Sequence, residues 1–325
     1  MRRELIAVGI DAVRLAHESS DEPTEVVERI EQDVYKIRDR DDRTTVVSAG
    51  QASVDALRNA LSREPGKVGG IRTGFSYLDH VLDGLRPGEV IILAARPSMG
   101  KSALALNVAE QIARQGIPTG FFSLEMTHEP LALRLLSSMS AVPISKIRRS
   151  QMDEDERQGV ERMSTQIEAM PLYIDDSPGL TLTSLRAKAR RHARRWRLQL
   201  LIIDYLQLLR DPSANGSTER ATNSSAAVKA LARELNVGVM CLSQLNRQSE
   251  FRSDKRPTLA DLRDSGAIEQ DADVVMLLHR PDYYAQPEQA TGAAELIIAK
   301  NRSGETVRID MRWLPERTRF YEVHR

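Results

Sequence analysis

The 325-residue chain has a single cysteine, Cys241, inside the apolar run 237–242. One thiol cannot close an intrachain disulfide, and no Cys/His group has zinc-binding spacing. Disulfide scaffolds and zinc modules are therefore not expected, and a reducing, cytoplasmic compartment is the natural setting. Long hydrophobic runs are missing as well. No segment approaches the roughly 18 continuous apolar residues of a membrane span; the longest candidate, 198–209, is broken by Asp204 and Gln207. The amino terminus lacks the apolar core and cleavage site of a secretion signal. An excess of one charge is also absent, with 46 Lys and Arg against 46 Asp and Glu. That balance excludes a wholly basic surface but leaves room for a local basic channel. What is there, 28% charged and 41% hydrophobic residues, is an ordinary globular composition. The length allows one or two domains with a large core.

Residues 1–62 read as helical. A helix start falls at Asp21–Pro23. Val26, Val27, Ile30, Val34 and Ile37 follow at helical spacing, and Val54, Leu57 and Leu61 mark another short helix. Helices with such narrow apolar faces are marginal alone in water, so at least one is expected to pack on another domain or subunit. Residues 63–69, rich in glycine with a proline, read as a hinge.

From residue 70 onward, short apolar runs alternate with helical stretches: 90–95, 120–124, 172–174, 200–203, 237–243, 274–278 and 295–299. Strands that are apolar along their whole length and flanked by helices predict an α/β domain with a mostly parallel sheet buried on both faces. The alternating stretch 306–323 predicts antiparallel edge strands.

One strand, 90–94, runs into Ala95-Arg96-Pro97-Ser98-Met99-Gly100-Lys101-Ser102, and a helix carrying Leu104, Val108 and Ile112 on one face follows. Strand, loop and helix in that order are the context of a phosphate-binding loop. Loop amides and the helix N-terminus offer converging N–H groups. Gly100 admits close backbone approach, Lys101 reaches the β- and γ-phosphates, and the Ser102 hydroxyl suits Mg²⁺. The general pattern begins with glycine where this chain has Ala95. An ordinary turn with an exposed lysine is the competing reading, disfavoured by the flanking strand and helix.

Three further strands end in polar groups. Asp204 closes 200–204 and suits Mg²⁺ through water. Glu125 follows 120–124 and suits a base for the attacking water, although a solvated strand-end glutamate explains it equally well. Gln244 follows 237–243 and could sense a γ-phosphate or simply belong to a polar turn. All would meet at the carboxyl edge of the sheet, where open α/β sheets bind ligands.

Residues 70–75 with Leu78-Asp79, the run 84–88 and the phosphate loop together resemble the DnaB-type replicative helicases. So do 123–126, 203–207, 243–247, the long run Asp261–Asp273 and Ala299-Lys300-Asn301-Arg302-Ser303-Gly304. The resemblance covers 70–325 and restores Ala95 to the family's pattern. It implies a RecA-like P-loop ATPase working as a ring, usually a hexamer, with ATP between subunits and Mg²⁺ as cofactor. Lys101 and Ser102 would bind nucleotide and metal, Glu125 would be the base, Asp204 the metal-organising acid and Gln244 the sensor. Lys300 and Arg302 match a basic pair supplied in trans to the neighbour's γ-phosphate. Arg263, Asp264 and Gly266 match the loop that contacts the DNA backbone, with Asp264 standing where glutamate is common.

The same resemblance makes 1–62 a helical linker region: the end of the family's N-terminal region plus a linker helix at about 24–40 that docks on the adjacent subunit. Residues 70–325 would be the helicase domain. Single-stranded DNA, further copies of the chain, a primase and a helicase loader are the implied partners. A RecA-like recombinase and a nucleotide-gated ring or scaffold subunit without motor output are the alternatives.

Two long polar stretches, 210–225 and 247–263, read as loops with few aromatics, suited to tracking phosphates rather than stacking bases. The arginine-rich run 186–197 reads as a helix with Leu185, Ala189, Ala193 and Trp196 buried and its charges solvated or at a subunit contact.

Overall fold

The computed structural model describes residues 2–19, 22–40, 47–62, 67–209, 211, 214, 216–284 and 290–323. The chain divides into two compact units, Met1–Lys67 and Val68–Arg325.

The first unit holds α1 (Arg2–Glu18), α2 (Pro23–Arg40) and α3 (Ala49–Leu61). Ser48 caps α3 by accepting the Gln51 amide at 3.1 Å, which satisfies one of the orphan donors of the first turn. α2 packs against α1, and Val27 and Val34 of its apolar stripe remain exposed. None of the described residues of the three helices is buried; on α3, Val54, Leu57 and Leu61 are all exposed. Ile37 lies outside the residues whose side chains are described.

In the second unit the elements run α4 (Ser76–Leu82), β1 (Val90–Ala95), α5 (Lys101–Arg114), β2 (Thr119–Ser123), α6 (His128–Ser140), α7 (Ile144–Arg148), α8 (Glu154–Ala169) and β3 (Leu172–Asp175). They continue with α9 (Leu182–Trp196), β4 (Leu200–Asp204), α10 (Ser217–Leu235), β5 (Gly238–Gln244), α11 (Gly266–Asp271), β6 (Val274–His279), β7 (Ala293–Asn301), β8 (Arg308–Leu314) and β9 (Arg319–Glu322). All nine strands form one sheet, in the order β3-β2-β4-β5-β1-β6-β7-β8-β9.

The first six strands in that order are parallel. Alternate residues of each central strand point to opposite faces, and both faces are covered. Ile91, Leu93, Ile202, Leu242 and Met276 belong to one apolar layer; Val90, Ile92, Ile203, Cys241 and Val275 belong to the other. This double burial is why the strands read as continuous apolar runs. It also pushes the Cys241 thiol far above its usual range, so that cysteine is an inert core residue.

Four expectations need correction. The run 295–299 reads as one more parallel strand, but β7, which contains it, pairs antiparallel with β6. Its connection carries a 3-10 turn, Pro281–Tyr284, and no crossover helix among the described residues, so the chain returns directly. The stretch 210–225 is not all loop, because α10 begins at Ser217. Val228, Leu231 and Ala232 bury at helical spacing and carry the polar first turns with them. The stretch 247–263 is largely two 3-10 turns, Arg247–Phe251 and Leu259–Ser265. On α9, Leu185 and Ala189 are buried as expected, but so is Arg190. Its guanidinium meets Glu234 at 2.5 and 2.7 Å, the pairing that lets a charge enter a core.

Candidate nucleotide site

Register places the site. Ala95, the last residue of β1, sits beside Gln244, the last of β5. Ser123, the last of β2, sits beside Asp204, the last of β4. Four central strands therefore end at one edge, three of them in a polar residue. Beyond Ser123 the chain turns sharply: the Ser123 hydroxyl donates to the Met126 carbonyl at 2.5 Å and accepts the Met126 amide at 3.2 Å. That turn holds Glu125.

The phosphate loop needs unusual backbone. Ser98 and Gly100 have φ of 64° and 94°, the left-handed region that glycine enters without cost. Gly100 has a second constraint, since a Cβ there would lie 3.0 Å from the Phe320 ring. Met99 is buried and pins the loop. Arg96 turns aside, donating from Nε to Glu250 at 2.8 Å and from Nη1 to the Leu245 carbonyl at 2.7 Å. Arg280 donates to the Ser98 carbonyl at 3.2 Å.

A cavity of about 380 Å³ opens over this loop, lined by Lys101, Ser102, Glu125 and Gln244 together with Arg134 and Trp313. Next to Lys101 of that lining, Asp204 is fully buried, with neither carboxyl oxygen hydrogen-bonded. Lys101 Nζ stands 3.9 Å from Asp204 Oδ1 and 4.2 Å from the centre of the Tyr205 ring. Burial pushes the Asp204 carboxyl above its usual range, against the opposing pull of Lys101 and the nearby Ser102 hydroxyl. Burial likewise lowers Lys101 and Arg134, each opposed by Asp204 and Glu125. These are mutually close, desolvated charges, and an unsatisfied buried carboxylate is costly unless something binds it.

Ser102 and the neighbouring Asp204 carboxylate fit a hard cation. A serine hydroxyl and one carboxylate beside a phosphate pocket are the usual protein share of a Mg²⁺ site, the remainder coming from phosphate and water. Among the described residues no group of three His, Cys, Asp or Glu could hold a metal by itself. Gln207 braces the end of β5, donating to the Ser243 hydroxyl at 2.8 Å.

Lys300 and Arg302 are elsewhere. Asn301 of β7 pairs with Val274, and Val274 lies beside Ile91 at the start of β1. The two cations thus stand at the amino edge of the sheet, separated from the phosphate loop by the length of β1, roughly 17 Å. Their own cavity is out of reach. Arg263 and Asp264 lie in the turn Leu259–Ser265, and their side chains fall outside the described residues; Gly266 is exposed at the start of α11.

Sequence reasoning missed Arg134 and Trp313. Arg134 lies between Leu131 and Leu135, two fully apolar-packed positions of α6, and an arginine on the inward side of a helix was the available signal. Trp313 comes from β8, whose place over the loop no local pattern reveals.

Residues 70–322 match the DnaB-like helicase C-terminal domain family. Over 326 residues the chain is 39% identical to the replicative DNA helicase DnaB of Leifsonia xyli subsp. xyli, covering 99% of this chain and 71% of the relative. The DnaB of Pasteurella multocida is 39% identical over 333 residues, covering 98% and 71%. Among solved structures, one described as an ATPase domain superposes with a TM-score of 0.81 at 34% identity, covering 87% of this chain and all of that one. A DnaB-like replicative helicase, described with its interactions with primase, gives 0.86 at 30% identity, covering 99% of this chain and 76% of that one. A RecA-like sheet, a phosphate cavity at its carboxyl edge and this match along nearly the whole chain lead to one assignment: the chain belongs to the DnaB-like replicative DNA helicases.

Proposed function

We propose that this chain hydrolyses ATP at interfaces between neighbouring copies and uses each cycle to advance along single-stranded DNA and part a duplex. Family membership makes it an ATP-dependent DNA helicase; the residue roles are inferred from the geometry of the site. The observation that carries them is the gathering of Lys101, Ser102, Glu125 and Gln244 around one cavity, with the Asp204 carboxylate, free of hydrogen bonds, beside Lys101.

In this reading the amides of residues 95–102 and the α5 N-terminus hold the phosphates, with Lys101 on the β- and γ-oxygens. Ser102 and Asp204 hold Mg²⁺, which when bound draws charge off the phosphate oxygens. Glu125 orients a water and takes its proton. Gln244 contacts the γ-phosphate and passes its loss to Gln207 and the strand ends. Arg134 supplies positive charge from the same subunit. Lys300 and Arg302 complete a neighbour's site, which fits their distance from their own. Arg263, Asp264 and Gly266 meet the DNA backbone without reading bases.

A ring of copies, usually six, follows from shared sites, and α2, with Val27 and Val34 exposed, is the helix that docks on the next copy. Primase and a helicase loader are the further partners. No helix among the described residues is long and apolar enough to cross a membrane, and a cytoplasmic location accords with the role in replication. No observation favours the recombinase or scaffold readings.

The test is a forked-duplex assay with single-stranded DNA-stimulated ATPase measured alongside. Wild type should unwind and respond to DNA. Glu125→Gln should lose turnover by about 10²–10⁴-fold, the usual worth of a general base, while still binding nucleotide. ATPase activity indifferent to DNA in the assembled protein would end the motor reading.

A further inference from the structure

The hydrolytic cavity uses no residue of the run 261–273, yet that run joins the expected DNA turn to the trans cations. α11 begins at Gly266, the last of the three residues expected to meet DNA, and ends at Asp271. The last carbonyls of a helix have no following turn to supply amides. Here the cations take them. Lys300 Nζ donates to the Glu269 carbonyl at 2.6 Å and to the Gln270 carbonyl at 3.3 Å. Arg302 Nη2 donates to the Gln270 carbonyl at 2.9 Å. Positive charge at a helix carboxyl end is also favoured by the helix dipole.

Asp273 completes the arrangement. Its Oδ1 accepts Arg302 Nη1 at 3.2 Å, and its carbonyl accepts the Arg302 amide at 2.9 Å. Its Oδ2 accepts the Val90 amide at 2.8 Å and also the Lys229 ammonium. Asp273 therefore ties Arg302 to the first residue of β1, the strand that feeds the phosphate loop, and to α10. Both terminal nitrogens of Arg302 are committed, and a forked grip on phosphate needs at least one of them back. The Arg302 side chain is 49% exposed, so these bonds exchange readily with water.

We propose that the carboxyl end of α11 and the Asp273 carboxylate form a resting seat for Lys300 and Arg302, and that DNA engaged at the turn before α11 releases them toward the neighbouring copy's γ-phosphate. The proposal rests on the trans role of the pair given above. Asp273 is on this view a positioning residue: it touches neither nucleotide nor DNA, and sets how often Arg302 is free when DNA is absent.

The test is Asp273→Asn in the full chain. Its amide oxygen in the Oδ2 position keeps Val90 and Lys229, while its NH₂ faces Arg302 and cannot accept. ATPase without DNA should rise about two- to fivefold, the population change expected for a half-exposed ion pair. The DNA-saturated kcat and the KM for ATP should stay at wild-type values, so the stimulation ratio falls. A merely structural residue would lower both rates together. A folded variant, with wild-type melting, whose DNA-free rate is unchanged or lower overturns the seat. Should the variant not fold, hydrogen exchange on wild type decides. Amides of 300–304 should exchange faster when single-stranded DNA is added, and no change overturns the proposal. Arg302→Ala separates the two failures. If it keeps full activity, the trans reading falls and the seat with it. If it is inactive while Asp273→Asn matches wild type, the seat alone falls.

Discussion

The two edges of the parallel sheet treat charge in opposite ways. At the carboxyl edge, Asp204 is fully buried without a hydrogen bond, and burial lowers Lys101 and Arg134 beside it. At the amino edge, Lys300 and Arg302 are answered by helix carbonyls and Asp273, and Asp273 by Lys229 and a backbone amide. One edge holds a buried carboxylate that the chain leaves without a hydrogen bond; the other holds charges the chain pairs for itself. Desolvated, unanswered charge costs stability and is the usual mark of a binding site. Satisfied charge at the far edge suits a group that must be stored until a neighbour needs it.

The sharpest way to break this contrast is to disable one edge at a time and mix the products. Lys101→Ala and Arg302→Ala should each lower ATPase by about 10³-fold or more, the worth of a trans arginine in related chemistry. Mixed before assembly, the two should recover part of the rate, because some interfaces then pair an intact loop with an intact cation. Activity of mixtures no higher than that of either parent would place both edges in one site and undo the comparison.

Ligand should stabilise one edge only. MgATP at about 100 times its Kd should raise unfolding free energy by about 2.7 kcal/mol, read as a shift in denaturant midpoint. Removing Mg²⁺ with a chelator should shrink the shift, and Lys101→Ala should remove it. Arg302→Ala in dilute, unassembled protein should keep it.

The smallest effect tests whether unanswered charge belongs to the cavity or to its whole edge. Glu295, opposite His279 at the end of β6, bonds Arg256 twice at 2.8 Å, which holds its carboxyl below the usual glutamate range. A depressed carboxyl contributes stability that is complete above its unfolded value and lost as pH falls through its native one. Arg256 is 39% exposed, so solvent screening leaves about 0.5 kcal/mol. Arg256→Ala should cost that much near neutral pH, with the gap to wild type closing in acid. Urea melts at several pH values would show it; a gap that widens in acid contradicts the sign.

The continuous apolar strands, the phosphate loop between β1 and α5, and the strand-end positions of Asp204, Glu125 and Gln244 are all written locally, since each depends on a few neighbouring residues. The direction of β7 is not legible, because an apolar run buried on both faces looks alike either way. The first turns of α10 read as loop because serine, threonine and asparagine favour loops, while burial of Val228 and Leu231 further along overrides that preference. The burial of Arg190 is hidden because its partner Glu234 lies on another helix.

By itself, then, the amino-acid order determined which groups reach the carboxyl edge, because a strand's last residue must lie at its end whatever else surrounds it. Tertiary structure alone decided that Asp204 is left without a bond, that Arg134 and Trp313 close the cavity, and that Lys300 and Arg302 rest on α11 and Asp273. Those outcomes depend on which segments distant in sequence pack side by side, and on how much water that packing removes.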